Sequence, residues 1–325
     1  MGQNDLRLVF FDAATLGDVS LEPLTARWDC TIHEFTTPAE VIERLQGYQA
    51  VILNKVVLDK STLDSTAVKE LKLIAVAATG IDNVDLEGAR AHGIWVCNVP
   101  GYATQSVAQF TIALILELAT RVGRYAELVR AGAWQKSPIY TLHDFSTLEL
   151  AGKKLGIVGY GNIGRVVAEM ARGFGMEVLI SVRPGAPGSI PPGRLALNDL
   201  LTRSDIVTLH CPLTPQTRNL IDHRALALMK PTSFLINTAR GALVDADALI
   251  AALREGRLAG AALDVLPQEP PPANQPVINA AQELKNLLVT PHCAWTAREA
   301  RQRLLDEVAA NILAFTKGED RNRIV

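Results

Sequence analysis

Short apolar runs alternate with segments of helical period along almost the whole chain. This alternation restricts the fold more than any other feature. Strand-like runs are read at residues 6–11, 31–35, 50–54, 73–77 and 94–98. After a long helical stretch they resume at 155–158, 178–181, 206–210, 234–237, 261–264 and 287–290. Strands buried on both faces read as continuous apolar runs, and parallel neighbours need a crossover that is usually a helix. The expected class is therefore α/β, with parallel sheets covered on both faces. A chain of 325 residues is long for one core and suits two domains.

The longest helical stretch runs over 104–130. Val107, Phe110, Thr111, Leu114, Ile115 and Leu118 keep helical spacing, and Ile112, Ala113, Leu116 and Ala119 make the other faces apolar too. Such a helix is expected to be buried between domains or between subunits. A last helix near 297–315 carries Leu304, Val308, Ile312 and Phe315 on one face. The Pro- and Gly-rich segments 184–192 and 267–276 read as surface loops.

With 32 basic and 34 acidic residues spread along the chain, the net charge of −2 argues against a general nucleic-acid binder. Cys30, Cys97, Cys211 and Cys293 form no Cys-x-x-Cys, so neither a metal site nor a disulfide framework is expected. No apolar run approaches the ~18 residues of a membrane span. The strand-like run at 6–11 follows no basic segment, so no secretory signal is expected. The expectation is a cytoplasmic protein with reduced thiols.

The segment Gly159-Tyr160-Gly161-Asn162-Ile163-Gly164 joins a strand run to a helical one, and a second strand run follows. That context turns a weak glycine pattern into a dinucleotide-binding signature. Gly159 permits the tight turn, Gly161 lets main chain approach a pyrophosphate, and Gly164 lets helix pack on strand. An NAD-selective site would carry Asp or Glu at the end of the second strand. Here the residues are Ser181-Val182-Arg183. Arg183 offers a guanidinium where a 2′-phosphate would lie, which favours NADP(H). The alternative is that Arg183 is a solvated loop cation and NAD(H) serves as well.

Arg240, Glu269 and His292 each follow a strand run of this second half. Ligands of such sheets bind at the carboxyl ends of the strands. Singly, each residue reads as an ordinary loop or surface group. Together they answer the demands of hydride transfer to a 2-oxo acid. Arg240 suits a carboxylate, His292 can give a proton to the carbonyl oxygen, and Glu269 can orient and support the imidazole.

On these motifs, together with Asp264-Val265 and Pro291-His292, the chain resembles the D-2-hydroxyacid dehydrogenases over nearly its whole length. Within that family the segment Pro291-His292-Cys293-Ala294-Trp295 is most similar to the glycerate dehydrogenase and hydroxypyruvate reductase branch. The resemblance implies two doubly wound domains. A Rossmann nucleotide domain would span 101–293, and a flavodoxin-like substrate domain would combine 1–100 with 294–325. It assigns the catalytic roles to Arg240, Glu269 and His292. It implies that the Thr79-Gly80 loop holds the substrate carboxylate through its main chain. It implies cofactor contacts at Thr104, Val182, Cys211, Pro212, Thr217, Thr238, Ala239 and Asp264, with Asp264 on the nicotinamide amide. Trp295 would wall the substrate pocket or belong to the core at the domain junction. A homodimer through 104–130 is also implied. Two rivals stay open: the same chemistry on another 2-oxo acid, and a dinucleotide-sensing corepressor or binding protein.

Overall fold

The computed structural model describes residues 6–183, 185 and 190–325. The chain divides into two units, Met1–Ala103 with Thr296–Val325, and Thr104–Trp295.

In the first unit, β1 (Arg7–Phe10), β2 (Asp29–Ile32), β3 (Ala50–Leu53), β4 (Leu73–Val76) and β5 (Trp95–Cys97) pair in parallel in the order β2-β1-β3-β4-β5. This is the flavodoxin-like order. The short helices α1 (Glu22–Thr25), α2 (Val41–Leu45), α3 (Lys60–Leu63) and α4 (Leu86–Ala91) serve the crossovers. The C-terminal helix, Arg298–Thr316, buries Leu304, Leu305, Val308 and Ile312, and Phe315 meets Trp95 edge to face. The buried carboxylate of Asp12 accepts the N–H groups of Asn54, Lys55 and Val56 at 2.8, 2.6 and 3.1 Å. It thereby ties the carboxyl ends of β1 and β3 together. The second strand begins and ends earlier than its apolar run suggests, because pairing with β1 sets the register Arg7↔Asp29 to Phe10↔Ile32.

The second unit opens with α5 (Thr104–Thr120) and α6 (Val122–Arg130). It continues as β6 (Lys154–Val158), α7 (Asn162–Gly173), β7 (Glu177–Ile180), α8 (Leu197–Arg203), β8 (Ile206–Leu209) and α9 (His223–Leu228). It ends with β9 (Phe234–Asn237), α10 (Ala246–Arg254), β10 (Gly260–Leu263), α11 (Pro276–Glu283) and β11 (Leu287–Val289). The sheet order is β11-β10-β9-β8-β6-β7, all parallel. Outside β7, Ser181 bridges Leu195, with Val182 N–H on Leu195 O at 2.8 Å. Counting this single rung as a vestigial strand gives the order usual for dinucleotide folds. The expected loop over 184–192 lies partly outside the described residues, at 184 and 186–189.

Alternation along each strand sends Val207, Leu209 and Leu235 to one face and Ile206, Phe234 and Ile236 to the other. Leu200, Leu226 and Leu249 from α8, α9 and α10 cover the first face. Ala108, Ile112 and Ile115 of α5, with Val167, Ala168 and Ala171 of α7, cover the second.

That packing corrects two expectations about 104–130. The apolar helix α5 is buried within its own unit, because a parallel sheet needs both faces covered and α7 alone leaves the second face partly bare. The stretch is also not one helix. It bends by 60° between α5 and α6, where Arg121 takes a left-handed φ of 57°. The Glu117 carboxylate accepts the Gly123 N–H at 3.0 Å and so caps the new start. Among the described residues no single helix is long and apolar enough to cross a membrane. The bent pair passes on length and composition, but α5 buries its apolar side chains against the sheet.

At the carboxyl edge of the second sheet the loop after β9 runs against the loop after β10. A Cβ on Gly241 would lie 2.0 Å from Leu266 C and 2.3 Å from Pro267 N, so only glycine permits this approach. Gly241→Ala is expected to cost ~2 kcal/mol through overpacking and to lower Tm by roughly 4–8 °C. Thermal unfolding of the two proteins checks this; an unchanged Tm would show that the loops separate freely.

Candidate active site

The glycine loop follows β6. Gly159 has φ +101°, and a Cβ there would strike His210 C at 2.4 Å at the end of β8. A Cβ on Gly164 would meet Gly159 O at 2.2 Å, so the helix start also sits tight on the turn. A Cβ on Gly161 meets nothing within 4 Å, and no side chain caps α7. Tight glycines behind, bare main chain in front and an uncapped helix start form a cradle that fits a pyrophosphate.

Tyr160 of this loop packs partly onto the core, and the guanidinium groups of Arg194 and Arg165 lie 4.8 and 5.9 Å from its ring centre. Asn162 is exposed, whereas Ile163 packs onto the core. Val182 pairs with the rung at Leu195, and the exposed Arg183 follows it.

Three other residues expected at the cofactor, Cys211, Thr217 and Thr238, have buried side chains. Thr217 gives its hydroxyl to Pro212 O at 2.8 Å and takes the Thr214 N–H at 2.7 Å, closing the turn after β8. Burial pushes the Cys211 thiol up to about 11. Thr238 meets Thr111 of α5, hydroxyl to hydroxyl, at 3.0 Å. Thr104 is the first residue of that helix. Burial also pushes the imidazole of His210 down to about 3, so this histidine is neutral near pH 7.

At the end of β9, Asn237 shapes the next turn with both ends of its amide. Its nitrogen donates to Arg240 O at 2.9 Å, and its oxygen accepts the Ala239 N–H at 3.0 Å. Arg240 Nη1 also donates to Ala239 O at 2.9 Å. Sequence reasoning passed over Asn237. Its only signal was a polar residue closing an apolar strand run.

After β10, Glu269 Oε1 accepts the Leu266 N–H at 2.7 Å, and Oε2 lies 2.5 Å from His292 Nδ1. A carboxylate only accepts, so Nδ1 carries the proton and Nε2 is left for other chemistry. Both side chains are partly open, at 27% for His292 and 30% for Glu269. His292 has φ +51°, a left-handed conformation uncommon outside glycine. Trp295, half-buried, ends the same segment.

Arg240, Glu269 and His292 thus come from consecutive loops at the carboxyl ends of the adjacent strands β9, β10 and β11. Thr79 and Gly80 lie in the other unit, after β4. There Thr79 donates its hydroxyl to Val99 O at 2.8 Å, and its carbonyl accepts from Asn98 Nδ2 at 2.7 Å.

Residues 112–294 match the family described as D-isomer specific 2-hydroxyacid dehydrogenase, NAD binding domain. The chain is 42% identical to a glycerate dehydrogenase of Methylorubrum extorquens, over 97% of this chain and 98% of that one. It is 34% identical to a hydroxypyruvate reductase of Blautia hydrogenotrophica, over 98% and 99%. A crystal structure of a Thermus thermophilus protein superposes with a TM-score of 0.85 at 36% identity, covering 98% of this chain and all of the other. Matches that span both units, with the histidine–glutamate contact and the glycine cradle in place, show that the chain belongs to the D-isomer specific 2-hydroxyacid dehydrogenase family.

Proposed function

We propose that the protein reduces hydroxypyruvate and glyoxylate to D-glycerate and glycolate with NAD(P)H, and runs the reverse oxidations. The observation that carries this reading is the His292 Nδ1–Glu269 Oε2 contact of 2.5 Å on loops beside the Arg240 turn. The substrate choice follows the names of the two near-full-length relatives.

When bound, the dinucleotide supplies the hydride that reaches the carbonyl carbon. The chain's own residues do the rest. Arg240 pairs with the substrate carboxylate through its planar fork and polarises the neighbouring carbonyl. The Thr79-Gly80 main chain, in the first unit, is a further candidate for binding a carboxylate. His292 delivers the Nε2 proton to the carbonyl oxygen as negative charge develops there, and takes it back from the hydroxyl in oxidation. Glu269 holds the Nδ1–H, which sets ring orientation and leaves Nε2 facing the substrate. Trp295 walls the pocket. The glycine loop and the start of α7 hold the pyrophosphate.

NADP(H) is the preferred cofactor in this reading. Val182 supplies no carboxylate to the adenosine ribose, and the exposed Arg183 next to it can meet a 2′-phosphate. The protein acts as a homodimer. Trp134, Ile139 and Tyr140 stand 52%, 53% and 89% exposed beyond α6, which itself buries no residue in the single chain. Apolar groups left bare in this way suit a subunit contact.

Oxidation of NADPH and NADH, measured side by side with hydroxypyruvate, glyoxylate, pyruvate and phenylpyruvate, tests the activity. Fastest turnover of hydroxypyruvate with NADPH is expected. Turnover with NADH alone would remove Arg183 from cofactor choice. Tight NADPH binding without turnover of any acid would move the protein to the sensor class. Glu269→Gln is expected to lower kcat of reduction at least about tenfold, since the ring loses the charged acceptor that orients it; an unchanged kcat would take Glu269 out of the mechanism. Light scattering should return the mass of two chains, and a monomer would end the dimer reading.

A further inference from the structure

Four groups of the segment after β11 converge on one residue at the end of β10. Asp264 Oδ1 accepts the Thr290 hydroxyl at 2.6 Å and the Cys293 N–H at 3.0 Å, and Oδ2 accepts the Ala294 N–H at 2.9 Å. The main-chain carbonyl of Asp264 accepts the His292 N–H at 2.8 Å. Asp264 is 1% exposed. The two lone-pair directions of Oδ1 are filled by the chain's own donors, and Oδ2 has one of its two filled. A buried carboxylate in this state is a rigid template for the segment around it.

The segment needs a template. A left-handed non-glycine residue is strained and persists only where its surroundings hold it. His292 is such a residue, and the clamp grips the chain on both sides of it, at Thr290 and at Cys293–Ala294. A second tie holds the far end, where Ser106 of α5 donates its hydroxyl to Ala294 O at 2.7 Å. The Cys293 thiol, 3.7 Å from Oδ1, is pushed up by burial and then by the Asp264 charge.

We infer that Asp264 is the positioning residue of the proton-transfer step: its carboxylate folds 290–294 around itself and holds His292 in the left-handed turn that directs Nδ1 at Glu269. This rests on the proposed role of His292. Asp264 acts through that residue and moves no proton itself.

Three substitutions separate this from a role in holding cofactor or in stability alone. Asp264→Asn replaces one acceptor oxygen by an NH2 that faces a main-chain N–H. Thr290→Val removes one donor to the carboxylate while leaving Asp264 intact, and Thr290→Ser puts it back. For Asp264→Asn, kcat should fall at least about tenfold, since misplacement near 1 Å can cost a hundredfold. In Thr290→Val, which leaves the Asp264 carboxylate in place, KM for the 2-oxo acid and the Kd for NADPH, read by nucleotide fluorescence, should change less than about threefold, within ~0.6 kcal/mol. Thr290→Val should show a smaller loss of the same kind, and Thr290→Ser should restore kcat.

The ring itself gives a readout independent of turnover. In 15N-histidine-labelled protein the downfield Nδ1–H signal of His292, assigned by its disappearance in His292→Gln, should weaken or vanish in both Asp264→Asn and Thr290→Val. A wild-type protein that shows this signal but turns over no 2-oxo acid would sink the proposed activity and leave the positioning role standing. An undisturbed signal in Asp264→Asn, unchanged kcat, or a loss confined to the NADPH Kd would overturn the positioning role.

Discussion

Every strand of the second sheet runs the same way, and the candidate site depends on that constraint. Parallel pairing from β11 through β9, β8 and β6 to β7 puts all carboxyl ends on one edge. The chain leaves each strand there, so the glycine loop, the Asn237 turn, the Glu269 loop and the His292 segment are delivered to one edge without long excursions. An antiparallel partner would send its loop to the opposite edge.

Close main-chain approach then turns neighbouring loops into a site. Gly159 lies against the end of β8, and Gly241 lies against Leu266 and Pro267. Between these contacts, polar side chains at strand ends set local geometry. Asn237 folds the Arg240 turn, and Asp264 folds the segment that carries His292. Both are buried because their task is to satisfy main-chain groups that leave the sheet with no ladder partner. The groups assigned to chemistry are more exposed than the groups that hold them.

Much of the site was legible before any coordinates. The glycine loop could be read because its physics is local: strand, turn, helix start. Arg240, Glu269 and His292 could be read because each is a chemically apt residue just past a strand run. Other features were hidden. The break at Arg121 follows no proline or glycine at that residue; it depends on a left-handed turn and on Glu117 reaching Gly123. Burial of α5 within its own unit could not be separated from burial at an interface, since an apolar surface does not say what covers it. The internal partners of the Thr217 and Thr238 hydroxyls, Pro212 O and the Thr111 hydroxyl, were hidden too, since hydroxyl partners lie beyond any sequence pattern.

By itself, the sequence determined the α/β class, the glycine cradle and the identity of the catalytic candidates, because apolar periodicity and residue chemistry are carried position by position. Only the tertiary structure decided that His292 meets Glu269 through Nδ1, that Gly241 lets two loops touch, and that Asp264 faces Thr290, Cys293 and Ala294. Those are distances between residues on loops that leave different strands. They exist only once parallel pairing has set the register of β9, β10 and β11.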